Sequence, residues 1–317
     1  MKKIIITGAS GLVGSTLINT ITDKKNMIIA VDNLSGGKIR FLKKFIENNK
    51  IKFLNEDISK KKLSNNFYKN INKIKFDEVW LLAANSDIKK GILDPNVDFN
   101  NTYLTTFNFL NNIENYLKKN CKIIFTSSSA VYGKNKNLTL LKENTGPQTP
   151  VSNYGSMKLA SEAYITHFAF KNKLIYQIYR LPNVIGKNIT HGIFYDMRKK
   201  FLNKKKIVRV LGNGNQKKPY MYCNDLIKIL LNNKKDESSI MNIGQKDNGI
   251  TVKQILLLFK KHLKSKKKVE FGNTKYGWIG DVPRYKLNNT LIKKNNLFPK
   301  NFSNSLNSAK KTIKDIL

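Results

Sequence analysis

The sequence of 317 residues has few cysteines, few histidines and no long apolar run. Its two cysteines, Cys121 and Cys223, lie far apart in apolar stretches, so we expect both to be reduced and buried, as in a cytoplasmic protein. The three histidines show no ligand spacing with each other or with the cysteines, which argues against a metal site. Because the chain has no run of about 18 apolar residues and no early apolar segment, we predict neither a membrane span nor a signal peptide.

Acidic residues are also scarce, since 21 Asp and Glu stand against 58 Lys and Arg and leave a net charge of +37. The lysines are dispersed along the chain rather than gathered into one arm, and they occur with many asparagines and isoleucines. We interpret this composition as the drift of an A/T-rich genome and expect no specific nucleic-acid partner. The positive field would still attract anionic nucleotide substrates. A nucleic-acid binder is the alternative, and it would show strongly salt-dependent retention on DNA.

A glycine-rich turn lies near the N-terminus, in IIITGASGLVGSTLI. Residues 4–6 are typical of a short buried strand, and apolar residues recur at helical spacing within residues 12–18. Between them, Gly8, Gly11 and Gly14 allow a sharp turn, close approach of a ligand to the backbone and tight packing of helix on strand. The free N–H groups at the start of such a helix bind pyrophosphate. The pattern favours a dinucleotide site, with an ordinary strand–turn–helix as the alternative.

The next strand, in MIIAVDNLSGG, ends in the acidic residue Asp32, about 20 residues after the glycines. A carboxylate in this position can accept hydrogen bonds from the ribose hydroxyls of an adenosine, and it would repel a 2′-phosphate. We therefore predict NAD as the cofactor. Lys38 and Arg40 lie close downstream and keep NADP as the alternative.

Two more strands are predicted in KFLNEDIS and FDEVWLLAANSD. Asp57 and Ile58 come at the end of the first, where they could grip an adenine ring, and the small pair Ala83 and Ala84 comes at the end of the second. Strands that alternate with helical segments predict an α/β fold with a parallel, doubly wound sheet.

A fifth strand, CKIIFTSSSAVYG, runs into a hydroxyl-rich turn, and the later stretch PVSNYGSMKLASEAYI becomes helical near Asn153. Tyr154 and Lys158 are one helical turn apart on the same face. A tyrosine becomes a usable base when its phenolate is stabilised, and a neighbouring ammonium does this. Ser128 can face the pair from the carboxyl edge of the sheet, where ligands bind. The Y-x-x-x-K spacing occurs twice more, in a loop after a strand and far from the nucleotide motifs: Tyr132 with Lys136, and Tyr195 with Lys199.

Together these motifs resemble those of the extended short-chain dehydrogenase/reductases, in the NAD-dependent epimerase/dehydratase family that acts on nucleotide sugars. The landmarks follow one another along nearly the whole chain: TGASGLVG, VDNLS, EDI, LLAANSD, TSSSAVYG, YGSMK, RLPNVIGK, LGNGNQKKPYMYCND and WIGDVPRYKLN. The resemblance implies a catalytic trio of Ser128, Tyr154 and Lys158. It implies a larger set of NAD-binding positions: Gly8, Ser10, Gly11, Leu12, Val13, Asp32, Asn33, Asp57, Ile58, Ala83, Ala84, Tyr154 and Lys158. It also implies substrate-binding positions: Ser129, Asn183, Lys218 and Tyr285.

The same resemblance implies a Rossmann-type domain over residues 1–180, to which residues 236–247 return, and a smaller C-terminal substrate domain over 181–235 and 248–317. The returning segment contains SIMNIGQ, which we expect to form a strand. In the resembling family a helical interface joins two copies, so we expect a homodimer. An apolar helical stripe would form half of that interface, with a place in the core as its alternative: Leu104, Phe107, Leu110 and Ile113.

The residues after Ser128 favour one reaction within the family. Sugar 4,6-dehydratases carry an Asp-Glu pair there, and decarboxylases usually keep the glutamate, whereas this chain has Ser129 and Ala130. An elimination then lacks an evident proton donor, and the Cys/His pair of fucose synthases is not evident either. We therefore predict an NAD-dependent nucleotide-sugar epimerase, most simply acting at C4 of a UDP-hexose through a 4-keto intermediate. Another enzyme of this group (a 2-epimerase, a reductase or a dehydratase) is the first alternative, and an NAD-sensing binding protein is the second.

In such a reaction Tyr154 would take the hydroxyl proton while NAD accepts the C4 hydride, and Ser128 would hydrogen-bond the developing ketone. Lys158 would hold the nicotinamide ribose and lower the pKa of Tyr154. Asn183 would contact the diphosphate of the substrate. An enzyme of this kind belongs to carbohydrate metabolism, where it supplies sugars for cell-surface polysaccharides.

Several residues depart from the pattern of the resembling family. Thr102 stands where a structural asparagine is usual, and Lys218 stands where an arginine often meets the diphosphate, which removes bidentate geometry. Trp278 stands where 4-epimerases commonly place a second arginine, and Tyr285 resembles a bulky gate that disfavours N-acetylated sugars. UDP remains the predicted nucleotide.

Other polar residues have ordinary structural interpretations. We expect Ser127 and Ser129 to cap the turn after the fifth strand, and the alternative role of Asp57 is that of a helix N-cap. We expect Asp225 at the start of a helix, and His191 in a loop where it is hydrogen-bonded rather than acting as an acid.

Overall fold

The computed structural model describes residues 1–22, 25–85, 87–133, 140–274 and 285–317, so Trp278 lies outside the described residues. The strands are β1 Lys3–Thr7, β2 Met27–Asp32, β3 Lys52–Asn55, β4 Phe76–Leu81, β5 Leu117–Ser128, β6 Leu140–Leu141, β7 Ile175–Leu181, β8 Asn183–Ile185, β9 Ile207–Val210, β10 Lys217–Lys218, β11 Tyr220–Tyr222, β12 Ser239–Asn242, β13 Ile250–Thr251, β14 Lys268–Phe271 and β15 Lys286–Leu287. The α-helices are α1 Leu12–Ile21, α2 Lys43–Glu47, α3 Asn65–Ile71, α4 Ile88–Leu93, α5 Pro95–Asp98, α6 Thr105–Ile113, α7 Asn153–Asn172, α8 Gly192–Leu202, α9 Cys223–Asn232, α10 Val252–His262, α11 Thr290–Lys294 and α12 Ser305–Ile316. Turns of 3₁₀ helix cover Ile39–Phe41, Glu114–Tyr116 and Ser129–Tyr132, and a π-helical segment covers Phe99–Leu104. In these ranges no helix combines the length and the apolar character that crossing a bilayer requires.

One large parallel sheet carries the predicted strands, in the order β12-β7-β5-β4-β1-β2-β3. β1 lies between β2 and β4, so that Ile5 pairs with Ile29 on one side and with Val79 on the other. From β1 the chain builds outward to β3 and then continues on the opposite side with β4, β5 and β7. This order confirms the predicted doubly wound α/β sheet. The reversal beside β1 is the point where sheets of this kind bind ligands, at their carboxyl edge.

The isoleucines of β1 serve both faces of the sheet. Ile4 and Ile6 belong to one apolar cluster, together with Leu17 and Ile18 of α1, whereas Ile5 belongs to the cluster on the other face. Successive side chains of a strand point to opposite faces, so a strand covered on both sides is apolar throughout. Burial of each such side chain is worth about 1.5–3 kcal/mol relative to exposure. This burial explains why the glycine turn follows an uninterrupted apolar run.

The C-terminal half has an apolar cluster of its own and also contributes a strand to the large sheet. The cluster lies among α8, α10 and α12 and includes Phe194, Phe259 and Ile313. β12 lies within residues 236–247, which the sequence predicts to return to the N-terminal domain. It joins the sheet beside β7, with Met241 opposite Tyr179. Chain from the C-terminal half therefore lies in the same sheet as the N-terminal motifs.

The apolar stripe expected at a dimer interface is divided between core and surface. Leu110 and Ile113 of α6 are fully buried, in the cluster that also contains sheet residues of β4 and β5. Leu104 and Phe107 are only partly buried. The interface interpretation is therefore wrong for Leu110 and Ile113, because α6 directs them onto the sheet, and only the other half of the stripe can meet a partner.

Both cysteines are buried and free, as predicted. Burial raises the pKa of the Cys121 thiol and of the Cys223 thiol to about 12. Such thiols stay protonated at neutral pH and are poor nucleophiles.

Candidate active site

Two glycines shape the turn between β1 and α1 because a side chain cannot fit at either. Gly8 has a φ of +64°, and a Cβ there would lie 2.6 Å from the backbone nitrogen of Ala83. A Cβ at Gly14 would lie 2.3 Å from the carbonyl oxygen of Gly8. The turn therefore packs against the chain that follows β4, and α1 packs against the turn. Gly11 occupies the N-cap of α1 and no described side chain caps this end, so the first N–H groups of the helix are available to an anion.

Asp32, the last residue of β2, closes one side of this turn. One carboxylate oxygen accepts a hydrogen bond from the Ser10 N–H at 2.9 Å, and the other accepts one from the Leu34 N–H at 2.7 Å. Burial raises the pKa of Asp32, and the two hydrogen bonds oppose that rise. Each oxygen keeps acceptor capacity for a further hydroxyl. The Ser10 hydroxyl is buried and has no hydrogen-bond partner in the described part of the chain. These groups fit the ribose and pyrophosphate of a dinucleotide.

Other predicted cofactor positions lie at the ends of β1 and β4. Leu12 and Val13 form the first turn of α1. Ala83 and Ala84 follow β4, and the N–H of Ala83 donates a hydrogen bond to the Thr7 hydroxyl at 3.3 Å. Small side chains after β4 leave room at the carboxyl edge beside the glycine turn.

The predicted positions after β2 and β3 are engaged in their own loops. The side-chain oxygen of Asn33 accepts hydrogen bonds from the N–H and the hydroxyl of Ser35, at 3.1 and 2.7 Å. Asp57 accepts from the N–H and the hydroxyl of Ser59, at 3.1 and 2.7 Å, while Ile58 is buried in the core. This segment is a turn and α3 begins several residues later. The alternative role of Asp57 as a helix N-cap is therefore wrong.

Ser128, Tyr154 and Lys158 meet at the carboxyl end of β5. Ser128 is the last residue of that strand, and its hydroxyl accepts a hydrogen bond from the Ala130 N–H at 3.1 Å. The same side chain lies close enough to the phenol of Tyr154 to hold down its pKa. The helix α7 begins at Asn153, as predicted, which puts Tyr154 in its first turn and Lys158 one turn later. The structure thus brings together the three residues that the sequence singled out for catalysis.

Lys158 lies in the interior between α7 and β5. Its side chain is 1% exposed, and its Nζ donates a hydrogen bond to the carbonyl oxygen of Thr126 at 2.7 Å. The Nζ atom lies 4.4 Å from the ring centroid of Phe125 and 5.9 Å from that of Tyr154. An ammonium has three donors, so this one bond to the backbone leaves donors for a ligand.

Burial moves the pKa of both groups toward the neutral form. It raises the pKa of Tyr154 to about 12, opposed by the Ser128 hydrogen bond and assisted by the charge of Asp98. It lowers the pKa of Lys158 to about 7, opposed by the charge of Glu162. The pKa of Tyr154 thus moves in the opposite direction to the lowering expected from Lys158. Burial dominates the pKa of Tyr154, and the Lys158 amine is itself only partly charged at neutral pH, so phenolate formation needs additional positive charge at this edge.

The serines beside Ser128 have different roles from those expected. Ser127 does not cap the turn, since it is buried and its hydroxyl donates a hydrogen bond to the carboxylate of Glu162. Ser128 is the residue that caps the 3₁₀ turn, and Ser129 is the first residue of that turn. Successive strand residues point to opposite faces, so Ser127 and Ser128 cannot serve the same turn.

Two of the four predicted substrate-binding residues, Asn183 and Tyr285, come together from separate stretches of sequence. Asn183 opens β8, and its side-chain amide donates hydrogen bonds to the Tyr285 hydroxyl at 3.3 Å and to the Pro219 carbonyl oxygen at 3.4 Å. Lys218, on β10, directly precedes Pro219. β8 pairs with β11, which puts Asn183 opposite Tyr220. The fourth predicted residue, Ser129, belongs instead to the 3₁₀ turn after the catalytic serine.

Asp225 and His191, for which the sequence predicts structural roles, both lie at the start of a helix. Asp225 lies in the first turn of α9 and accepts a hydrogen bond from the Ser303 N–H at 3.0 Å, which confirms the prediction of a helix-start residue. His191 occupies the N-cap position of α8, where burial lowers its pKa.

Sequence reasoning missed two buried carboxylates near the trio. Asp98 accepts a hydrogen bond from the Asn85 amide at 2.7 Å, and the backbone N–H of Asn85 donates to the Thr102 hydroxyl at 3.1 Å. Glu162 lies on α7 one turn after Lys158. Its i, i+4 spacing from the lysine is a signal that could have found it, whereas Asp98 approaches Tyr154 only through the fold.

The chain is similar to one protein family and to several known proteins. The profile of the NAD dependent epimerase/dehydratase family matches residues 4–244. The "Putative UDP-glucose 4-epimerase" of Methanocaldococcus jannaschii is 30% identical over 252 residues, which cover 76% of this chain and 76% of that protein. The crystal structure of a UDP-glucose 4-epimerase from Thermotoga maritima, solved with UDP-glucose, is 26% identical with a TM-score of 0.85 and covers 99% of this chain and 98% of its own. That of a UDP-galactose 4-epimerase is 26% identical with a TM-score of 0.82, over 99% and 98%.

Proposed function

The chain belongs to the NAD-dependent epimerase/dehydratase family, and we propose that it is an NAD-dependent 4-epimerase of a UDP-hexose that acts through a transient 4-keto intermediate. The observation that carries this proposal is the meeting of Ser128, Tyr154 and Lys158 at the edge of the sheet that also bears the glycine turn. The names of the similar proteins support the choice of a UDP-sugar and of C4.

The residues at the carboxyl edge fit NAD. Gly8, Gly11 and the N-terminus of α1 would hold the pyrophosphate, and Asp32 would accept hydrogen bonds from the adenosine ribose. A ligand there would also give the buried Ser10 hydroxyl a partner. When bound, NAD supplies a reversible hydride acceptor and a positively charged ring. Lys158 keeps donors for the ribose at the other end of the cofactor.

Tyr154 is the group that we assign to moving the proton of the sugar hydroxyl. With a pKa of about 12, its phenol does not ionise unaided at neutral pH. The Ser128 hydrogen bond lowers that pKa, and positive charge from Lys158 and the bound cofactor lowers it further. The Ser128 hydroxyl donates to the ketone oxygen as it develops at C4. The trio therefore supports the removal and return of one proton, and the bound cofactor would supply the acceptor for the hydride.

The surrounding residues favour epimerisation over elimination. Ser129 and Ala130 offer no carboxylic acid directly after the catalytic serine, so these two positions supply no proton donor for loss of water from the sugar. Asn183 and Lys218 are assigned to the diphosphate, and Tyr285, in contact with Asn183, is assigned to the border of the sugar pocket.

We assign the cofactor to residues 1–180 with 236–247, and the sugar nucleotide to residues 181–235 and 248–317. The place of β12 in the large sheet and the separate apolar cluster among α8, α10 and α12 support this division. The enzyme would act in the cytoplasm, where it would supply sugars for cell-surface polysaccharides.

A homodimer is the assembly that we assign to this chain, with the exposed side of the α6 region as its interface. Aromatic rings follow one another along that side, with centroid distances of 5.9 Å for Phe99–Tyr103, 5.8 Å for Tyr103–Phe107 and 4.6 Å for Phe107–Tyr164. In such a dimer, the α6 region and α7 of each copy would pack against those of the other copy and bury these rings.

The function is tested by incubating the purified protein with a panel of UDP-, GDP-, CDP- and dTDP-sugars and separating the products. We expect a UDP-hexose to be converted into its C4 epimer with no net consumption of NADH. A reductase would consume NADH, and an NAD-sensing protein would convert nothing. Either result would overturn the proposal.

Tyr154→Phe tests the assignment of the base. We expect conversion to fall at least about 100-fold, because the proton of the sugar hydroxyl loses its acceptor, while calorimetry shows that NAD still binds. Tyr195→Phe is the matched control, since Tyr195 has the same spacing to a lysine, with the Lys199 Nζ 4.4 Å from its ring centroid. Retained activity in Tyr154→Phe would remove the assignment.

A further inference from the structure

A buried ion pair lies behind the catalytic lysine. Arg180 of β7 and Glu162 of α7 each have a side chain that is 4% exposed, and Arg180 Nη2 lies 2.7 Å from Glu162 Oε2. The Arg180 Nε donates to both carboxylate oxygens, at 3.0 and 3.2 Å. The Ser127 hydroxyl of β5 donates to Oε1 as well. The carboxylate is therefore fixed to two adjacent strands of the large sheet.

Glu162 is connected to two catalytic residues, to Lys158 along α7 and to Ser128 through its neighbour Ser127. Glu162 follows Lys158 by one turn on the same face of α7, and Ser127 directly precedes Ser128. The charge of Glu162 opposes the lowering of the Lys158 pKa by burial. Arg180 is thus paired with Glu162, while Lys158, one turn away on the same helix, experiences the negative charge of the same carboxylate. Removal of that charge would leave two cationic side chains in the interior without a compensating anion.

The other groups that face Lys158 do not replace this charge. From α7 the Tyr154 ring faces its Nζ, and from β5 the Thr126 carbonyl oxygen accepts its hydrogen bond. Asp98, on α5, acts on Tyr154 and raises its pKa. A carbonyl dipole and an aromatic ring each favour an ammonium, but by less than a full negative charge does.

The far side of Arg180 is anchored independently of Glu162. Its Nη1 donates to the Tyr132 hydroxyl at 2.9 Å and to the Glu143 carbonyl oxygen at 3.0 Å. The Tyr132 hydroxyl in turn donates to the Asn242 side chain on β12 at 2.7 Å, and the N–H of Asn242 donates to Glu143 Oε1 at 2.9 Å. Arg180 is therefore held in place from several sides, and it holds Glu162.

We propose that Glu162 is a positioning residue for Lys158. The carboxylate of Glu162, fixed by Ser127 and Arg180, supplies the negative charge that favours the protonated form of the amine facing Thr126 and Tyr154. This role rests on the proposed function, in which Lys158 acts as a cation beside the phenol. The physical reason is that an ammonium in a water-free interior, next to an arginine, is stable only beside a compensating carboxylate.

Glu162→Gln tests the proposal, since glutamine keeps the shape and an acceptor for Arg180 but removes the charge. Without that charge Lys158 loses its proton more easily, so we expect the alkaline limb of the pH profile of kcat to move down by about one pH unit. At neutral pH we expect kcat to fall several-fold with KM little changed. Glu162→Asp keeps the charge and is expected to restore the position of the limb.

Tyr132→Phe is the matched control within the same network, since it removes a hydroxyl bound to Arg180 without changing the charge near Lys158. We expect it to lower the melting temperature and to leave the limb in place. If Glu162→Gln lowers the melting temperature in the same way and its limb stays at the wild-type pH, the role is structural only and the proposal is overturned. Should Glu162→Gln not fold, Ser127→Ala decides, because it removes a hydrogen bond that fixes the Glu162 carboxylate. We expect its alkaline limb to move down, and a limb at the wild-type pH would overturn the proposal.

NAD binding gives a readout that does not require turnover. Lys158 would donate to the cofactor as an ammonium, so NAD binding should weaken as the pH rises and the amine loses its proton. Measured by calorimetry from about pH 6 to about pH 9, this weakening is expected to begin at a lower pH in Glu162→Gln than in the wild type. Absence of UDP-hexose conversion in the wild type would refute the proposed function alone. Identical pH profiles of NAD binding would refute the positioning role alone.

Discussion

The amine of Lys158 lies where solvent is excluded, between α7 and β5 and beside the Phe125 ring. Its pKa falls to about 7 in the folded protein, whereas a lysine in an unfolded chain has a pKa of about 10.4. Protonation of this residue therefore opposes folding. Tyr154 differs, because burial favours its neutral form and that form already predominates in the unfolded chain at neutral pH. A side chain needed for catalysis is thus expected to reduce stability.

Lys158→Met is expected to raise the free energy of unfolding, on the order of 3 kcal/mol at about pH 6. Below the folded pKa the amine is charged in both states, so the wild type bears the whole desolvation cost. Between about pH 7 and pH 10.4 the unfolded state binds the extra proton, so the stability of the wild type rises with pH and the difference between the proteins shrinks.

Urea unfolding at about pH 6 and about pH 10 measures this difference. Lys43→Met, at a lysine whose side chain is 71% exposed, controls for the loss of charge alone and is expected to change stability little. A Lys158→Met protein that is less stable than the wild type at the lower pH would contradict the prediction.

Helix α7 presents its functional side chains in successive turns of one face. The Ser152 hydroxyl caps its N-terminus by accepting a hydrogen bond from the Gly155 N–H at 3.1 Å, and the helix ends at Asn172, followed by Lys173 in the left-handed conformation with φ of 53°. The cap fixes where the first turn begins, so Tyr154 lies at the sheet edge and Lys158 behind it. The same face continues to Glu162. The helix thus sets the order of these groups, while β5 and β7 supply their partners.

The contact of α1 with the glycine turn can be tested at Gly14. A Cβ there would lie 2.3 Å from the Gly8 carbonyl oxygen and 2.7 Å from the Ala9 Cα, both of them backbone atoms that cannot move aside freely. We expect Gly14→Ala to lower the free energy of unfolding by about 1–3 kcal/mol and to weaken NAD binding, since α1 must shift away from β1.

Gly36→Ala is the matched control, because a Cβ at Gly36 has no atom within 4 Å. Urea unfolding and calorimetric titration with NAD compare the two variants. If both behave alike, the close approach at Gly14 is not what holds the turn.

At the scale of the whole molecule, the exposed side of the α6 region stands out because its aromatic rings stack along a partly exposed face. Phe99 is 43% exposed, and Phe107 packs on Tyr164 of α7. Aromatic rings are enriched where protein surfaces meet. The expected interface is narrower than the sequence predicted, since Leu110 and Ile113 belong to the core.

If the protein forms the dimer that we propose, Phe107→Lys is expected to make it a monomer, because a charged side chain at the interface would be buried without a partner. Sedimentation velocity measures the assembly, and circular dichroism checks the fold. Phe170→Lys is the control, since Phe170 is 85% exposed at the far end of α7 and the dimer is expected to persist. A monomeric wild type, or a dimeric Phe107→Lys, would contradict the assignment of the interface.

The sequence by itself determined the family, the doubly wound sheet and the place of the glycine turn. These features follow from local patterns: an apolar run such as Ile4 to Ile6 needs cover on both faces, Gly8 needs a positive φ, and a spacing of four positions from Tyr154 to Lys158 puts both on one face of a helix. Each pattern lies within one short segment of the chain.

Only the tertiary structure decided the charge of these groups and their partners. The pKa of Tyr154 is raised and that of Lys158 is lowered by elements distant in sequence that exclude water. The pairing of Glu162 with Arg180, and the turning of Ser127 toward that pair, depend on how α7, β5 and β7 pack together. Local spacing fixes the face on which a side chain lies, whereas burial and long-range pairing depend on which other elements cover that face.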